Sequence, residues 1–170
     1  MTVDWQQAVA AVWRSRPALL RPVAAPDPVR LQDLVGIDQQ KAELVRNTER
    51  FLAGLPANSA LLWGARGTGK SSLVKAVLNA YRDKGLRLVE VFRDDLRDLP
   101  EIVDRIREQP WRFILYCDDF SFEANDNSYV GLKSVLEGSV EPPPANALFY
   151  VTSNRRHLLP EYMKDNQATV

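Results

Sequence analysis

The segment GARGTGKS, Gly64 to Ser71, fits G-x-x-x-x-G-K-[ST] without a gap, and it combines the residue types that a polyphosphate needs. Glycines at 64, 67 and 69 allow the backbone to approach an anion closely and to adopt turns that a side chain would obstruct. Successive amides of Gly64, Ala65, Arg66, Gly67, Thr68 and Gly69, and the helix start at Lys70, Ser71 and Ser72, can then point at phosphate oxygens. Lys70 adds a point charge for the β- and γ-phosphates, and the Ser71 hydroxyl suits Mg²⁺. A chance match in a chain of this length is on the order of one in a hundred. The pattern reads as a nucleoside triphosphate site.

A second stretch, RFILYCDDFSFE, runs an apolar strand into adjacent carboxylates, Asp118 and Asp119. A charge at the end of a buried strand needs a partner, and a metal beside a triphosphate supplies one. Asp118 emerges where a strand-end carboxylate helps hold magnesium beside such a loop.

These residues need a frame that brings the ends of distant strands together. SALLW reads as a strand, KSSLVKAVLNAYRDK as a helix closed by Gly85, and LRLVEVF as a strand. LRDLPEIVDRIREQ reads as a helix, RFILYC as a strand, NSYVGLKSVLEG as a helix, and ALFYVTS as a strand after the loop VEPPPAN. Helix-length connections between strands imply a parallel sheet covered on both faces. The fold expected is therefore α/β, a three-layer αβα sandwich with a mainly parallel sheet. Upstream, Asp38 is positioned to cap a helix through QQKAELVRNTERFLAG, which Gly54 ends. Residues 1–30 are expected as an N-terminal appendage to a domain over 31–170. It comprises an amphipathic helix from Val3 to about Arg14, carrying Trp5, Val9, Val12 and Trp13, and a linker with prolines at 17, 22, 26 and 28.

Composition narrows the classes. Of 170 residues, 45% are hydrophobic and 26% charged, which excludes a disordered or fibrous chain. Lysines plus arginines equal aspartates plus glutamates at 22, so no net field favours nucleic acid or an anionic membrane. No zinc-finger, helix-turn-helix or basic-aromatic pattern indicates nucleic acid either. One cysteine, Cys117, and one histidine, His157, are too few for an internal disulfide or a zinc site. No apolar run approaches the roughly 20 residues of a membrane span, and the N-terminus lacks a signal-peptide core. A cytoplasmic protein is the expectation.

Taken together, the chain resembles the AAA+ P-loop ATPases over roughly residues 31 to 160, through LVGIDQQKAELVRNTERFLAGLPANSALLWGARGTGKSSLVKA, CDDFSFE and TSNRRHL. It is especially similar to a bacterial AAA+-type group of poorly defined function. The resemblance implies ATP and Mg²⁺ as ligands. It implies adenine contacts from Val35, Gly36 and Ile37, and a polar sensor of the γ-phosphate at Asn154. It also implies assembly in rings or arcs, with Arg155 or Arg156 as intersubunit contacts, and a protein client that the sequence leaves unnamed.

Two departures qualify the resemblance. Where most hydrolysing members carry Asp-Glu, this chain has Asp118-Asp119, one methylene shorter at the water-activating position. Attack geometry is sensitive to displacements near 1 Å. Asp119 is the favoured base, with Glu123 and slow or absent turnover as alternatives. The second departure is at the end, where MKDNQATV follows without a fifth-strand pattern or a helical lid. The expectation is a core incomplete at its C-terminus, its first core strand lying at an open sheet edge. Three functions follow: an ATPase coupled to assembly or partner remodelling, a switch that binds ATP without useful turnover, and a small-molecule kinase. The kinase is disfavoured by the scarcity of arginines in SFEANDNSYVGLKSVLEG.

Overall fold

The computed structural model describes residues 2–64, 69–120, 127–138, 140–154 and 167–169. The strands are β1 (Ala10–Ser15), β2 (Ala18–Pro22), β3 (Ser59–Trp63), β4 (Leu86–Glu90), β5 (Arg112–Cys117), β6 (Ala147–Ser153) and β7 (Gln167–Thr169). The α-helices are α1 (Asp38–Leu52), α2 (Lys70–Tyr81), α3 (Leu99–Ile106) and α4 (Asn127–Glu137). They form one sheet in the order β2-β1-β4-β5-β6-β3-β7, parallel at every pairing except the β1–β2 hairpin. The α/β expectation holds.

The sheet divides the core into two layers because alternate residues of each strand point to opposite faces. On β5, Phe113, Leu115 and Cys117 join a cluster with Leu99, Ile102, Val103 and Ile106 of α3 and Leu132 of α4. Ile114 and Tyr116 face the other way, toward Leu44 and Phe51 of α1 and Leu73, Val74 and Val77 of α2. Buried on both sides, β5 has the uninterrupted apolar run of a central parallel strand.

The N-terminal segment departs from expectation. Ala10 to Ser15 form a strand and not a helix, hydrogen-bonded in parallel to β4 and antiparallel to β2. Val9, Val12 and Trp13 fall at helical spacing, but they belong to a continuous apolar run, Ala8 to Trp13, whose residues from Val9 on are all buried. Burial of consecutive residues needs cover on both faces, which the sheet supplies and a surface helix does not. Two of the four prolines expected in a linker serve the hairpin instead, Pro17 in its turn and Pro22 ending the edge strand β2, while Pro26 and Pro28 lie in irregular chain after it. Two smaller differences concern helix ends. Asp38 occupies the first turn of α1 instead of capping it, with Ile37 as the N-cap. The helix expected from Leu96 begins as a 3-10 turn, Arg93–Asp98, before α3.

The open edge expected beside β3 is also corrected. The backbone of Gln167–Thr169 pairs in parallel with Ser59–Leu61, adding a strand beyond β3. Three residues are too few to show an alternating pattern, so the pairing was invisible in MKDNQATV.

Candidate functional site

The site lies at the carboxyl ends of β3, β5 and β6, where open parallel sheets bind ligands. β5 and β6 each deliver a polar side chain as they leave the sheet, and β3 leads into the glycine-rich segment. After β3, Gly64 stays tied to the sheet through its N–H, which donates to the Ser153 carbonyl at 3.2 Å. Residues 65–68, and with them Ala65, Arg66, Gly67 and Thr68, lie outside the described residues. The chain is described again at Gly69, whose φ of +85° is a left-handed conformation that favours glycine. From there α2 starts at Lys70, with Ser71 and Ser72 in its first turn. The orphan amides of that turn and the helix dipole favour an anion.

Lys70 is held across the site. Its Nζ donates to the Gly64 carbonyl at 2.8 Å and to Asn154 Oδ1 at 3.1 Å. Asn154 follows β6 and donates from Nδ2 to Asp119 Oδ1 at 3.1 Å. One chain of hydrogen bonds thus joins the lysine, the asparagine and the second aspartate, three residues set apart by up to 84 positions. These are the three residues to which the sequence assigned chemistry, and the fold brings them together.

A residue that sequence reasoning passed over sets the carboxylates. Thr152, 1% exposed on β6, donates its hydroxyl to Asp118 Oδ1. The Thr152 hydroxyl oxygen in turn accepts the Asp119 N–H at 2.9 Å. Phe120 N–H then donates to the Thr152 carbonyl at 2.8 Å, so the chain turns sharply after β5 under three bonds to one residue. Asp119 sits at the apex with φ of +56°, a left-handed conformation that Asp tolerates better than most side chains. The signal for Thr152 was its position in YVTSN, two residues before Asn154 in a strand of period two.

Tyr116 is the second residue passed over. It precedes Asp118 by two positions on β5 and therefore shares its face, toward α2. Its ring is 3% exposed and its hydroxyl completes no hydrogen bond. Burial, and then the Asp118 charge, push the phenol above its usual range, with the Ser71 hydroxyl acting against them. Nearby, Glu90 at the end of β4 is raised by burial first; Lys75 opposes the shift and Asp118 adds to it. Burial, reinforced by Asp118 and Glu90, lifts the Cys117 thiol to about 12, which leaves it a neutral core side chain.

The remaining expected contacts divide. Ile37 packs beside the start of α2, its Cδ1 3.6 Å from where a Cβ on Gly69 would stand. The loop Val35–Ile37 therefore borders the phosphate segment; Val35 itself is 85% exposed, and Gly36 turns with φ of +80°. Glu123, Arg155, Arg156 and His157 lie outside the described residues. Among the described residues, no group of three or more His, Cys, Asp or Glu is placed to hold a metal, and no helix is long and apolar enough to cross a membrane. A Mg²⁺ ion does not require such a cage, because it binds through one or two protein oxygens together with substrate phosphates and water. Ser71 and Asp118, with an unpartnered hydroxyl beside them, fit that pattern.

Comparison with known proteins bears on the family and the fold. Residues 6–170 match the family described as "Protein of unknown function (DUF815)". Over 76 residues the chain is 38% identical to the replication factor C large subunit of Staphylothermus marinus, covering 44% of this chain and 17% of that protein. Over 72 residues it is 35% identical to the replication factor C large subunit of Ignicoccus hospitalis, covering 41% of this chain and 14% of that protein. The chain thus spans under a fifth of the length of these relatives. In fold it is similar to PCH-2 of C. elegans, with a TM-score of 0.57 at 16% identity over 81% of this chain and 43% of that one. The chain therefore belongs to the DUF815 family, within the AAA+ P-loop ATPase superfamily, and its core is a nucleotide-binding module of that type.

Proposed function

We propose that this module binds ATP with Mg²⁺ and hydrolyses it, coupling nucleotide state to assembly or to the remodelling of a protein partner. The observation that carries the reading is the hydrogen-bond chain Lys70–Asn154–Asp119 across the carboxyl ends of the strands. Lys70 is a cation beside the helix start that would receive the phosphates, and Asn154 links it to the carboxylate best placed to orient a water. On this reading the backbone of Gly64–Ser72 cradles the phosphates, Val35, Gly36 and Ile37 border the base, and Asp119 accepts the proton of the attacking water. Ser71 and Asp118 hold the metal, Thr152 fixing the Asp118 carboxylate. Bound there, Mg²⁺ would offset the charge of the phosphate oxygens. Arg155 or Arg156 would complete a neighbouring subunit's site, in trans.

The test is equilibrium binding of a fluorescent ATP analogue, together with Mg·ATP turnover across a range of protein concentrations. Lys70→Ala should weaken binding by roughly a hundredfold, the loss of a charge-assisted contact to phosphate. Undiminished binding by that variant would sink the proposal. Specific activity that rises with concentration supports sites completed between subunits.

A second reading, ATP engagement without turnover, is favoured by Asp119 itself. Its carboxylate is short, is occupied by Asn154, and stands on a left-handed residue. Tight binding with phosphate release at background at every concentration is the result this reading expects.

A further inference from the structure

The Tyr116 hydroxyl contrasts with that of Tyr150, a core neighbour whose hydroxyl is satisfied. Tyr150, on β6 and facing the same layer, has its hydroxyl shared with Thr48 Oγ1 at 2.7 Å and approached by Asn47 Nδ2 at 3.1 Å. Tyr116 is buried too, yet its oxygen completes no hydrogen bond of ordinary geometry, although the Asp118 and Ser71 side chains both lie near enough to act on it. Leaving a buried hydroxyl unpaired is unfavourable, and phenylalanine at the same place would avoid the penalty. The side chains that act on this oxygen are Asp118 and Ser71, the two residues assigned to the metal, and at longer range Glu90.

We propose that the Tyr116 hydroxyl is a positioning group for the hydrated Mg²⁺ of the bound nucleotide: it accepts a hydrogen bond from a water of the cation's shell and donates its own proton toward Asp118. The inference rests on the Mg·ATP reading of the site. A neutral phenol has both capacities, a donor and an acceptor, and a metal-bound water is a good donor. The position is set by strand periodicity. Tyr116 lies on β5 on the face toward α2, whose first turn carries Ser71, and Asp118 follows two positions later, just past the strand's end. The free protein keeps an unmet hydrogen bond that the cation's water completes, and this makes the group specific for the metal-loaded state.

Tyr116→Phe removes only the oxygen. Affinity for a fluorescent ATP analogue is measured with Mg²⁺ and with EDTA, alongside the melting temperature of the ligand-free protein, for wild type, Tyr116→Phe and Tyr150→Phe. The expected result for Tyr116→Phe is unchanged affinity in EDTA and a Mg²⁺-dependent gain reduced roughly threefold to tenfold, the worth of one hydrogen bond. Its ligand-free melting temperature should stay level or rise. Tyr150→Phe, which breaks a satisfied network, should melt lower and keep the full Mg²⁺ gain. An equal Mg²⁺ gain in wild type and Tyr116→Phe overturns the proposal. So does a lowered ligand-free melting temperature for Tyr116→Phe, which would reveal a structural partner, or an equal loss with and without the metal. A wild type that binds the analogue without any Mg²⁺ gain overturns the metal reading and this proposal together; a wild type that does not bind it at all overturns the ATP reading itself.

Discussion

Polar groups are arranged in opposite ways on the two sides of the sheet's centre. At the carboxyl ends of β3, β5 and β6, Lys70, Asn154 and Asp119 are linked by single hydrogen bonds in a setting open to solvent. Beside β1 and β4, polar groups are buried and fully engaged. The Arg87 guanidinium, 5% exposed, donates to the carbonyls of Trp5 at 2.6 Å and of Arg82 and Leu86 at 2.8 Å, and lies 4.0 Å from the Trp111 ring centroid. Trp13, fully buried, donates its indole N–H to Asp98 Oδ2 at 3.0 Å. The first arrangement keeps bonding capacity for a ligand and adds little to stability. The second makes its bonds inside the protein and fastens the N-terminal segment to the domain. Substitutions should therefore dissociate, those at the strand ends changing function and those at the hairpin changing stability.

The largest effect is expected at Asp119. Asp119→Asn keeps an acceptor for Asn154 and suits the left-handed backbone, but cannot take a proton. Mg·ATP turnover should fall roughly a thousandfold, about 4 kcal/mol of barrier, while the melting temperature and nucleotide affinity stay near wild type. A large loss of stability would mean that the strand-end network is structural after all, and the contrast with the hairpin would break. Next in size is Arg87→Met, which keeps an apolar stem against Trp111 and removes the guanidinium donors to the carbonyls of Trp5, Arg82 and Leu86. Urea denaturation should show a loss of about 3 kcal/mol, with affinity of the surviving folded protein for the ATP analogue unchanged.

The same contrast explains what could be read from the sequence. The phosphate segment and Asp118-Asp119 were legible because their chemistry demands particular residue types at fixed spacing. The parallel strands were legible because SALLW and RFILYC are apolar throughout. The placement of Thr152 and Tyr116 was only half legible. Period two puts them on the faces of Asn154 and Asp118, but which face meets α2 depends on packing that the sequence does not state. The hairpin was misread because VAAVW satisfies helical spacing and a buried strand alike, and the choice is made by β4, some 75 positions downstream, which pairs Ala10 with Leu88. Gln167–Thr169 was hidden for a related reason, since its pairing with β3 is through the backbone and needs no side-chain pattern.

The smallest effect sharpens the comparison most, because it isolates one buried bond. Trp13→Phe retains an aromatic ring in the hairpin core but loses the indole N–H, so Asp98 loses that donor. The ring is also smaller, and Arg105, whose guanidinium lies 5.1 Å from the Trp13 ring centroid, loses part of its contact. Together these should cost about 1.5 kcal/mol in urea denaturation. Pairing the substitution with Asp98→Ala in a double-mutant cycle separates the hydrogen bond from the packing: coupling near 1 kcal/mol assigns it to the N–H, and coupling near zero to the ring. Nucleotide affinity should not move in any member of the cycle. A shift there would mean that the hairpin reports to the strand ends through β4, whose Glu90 carboxylate is within electrostatic reach of Asp118. The two arrangements would then be one coupled system.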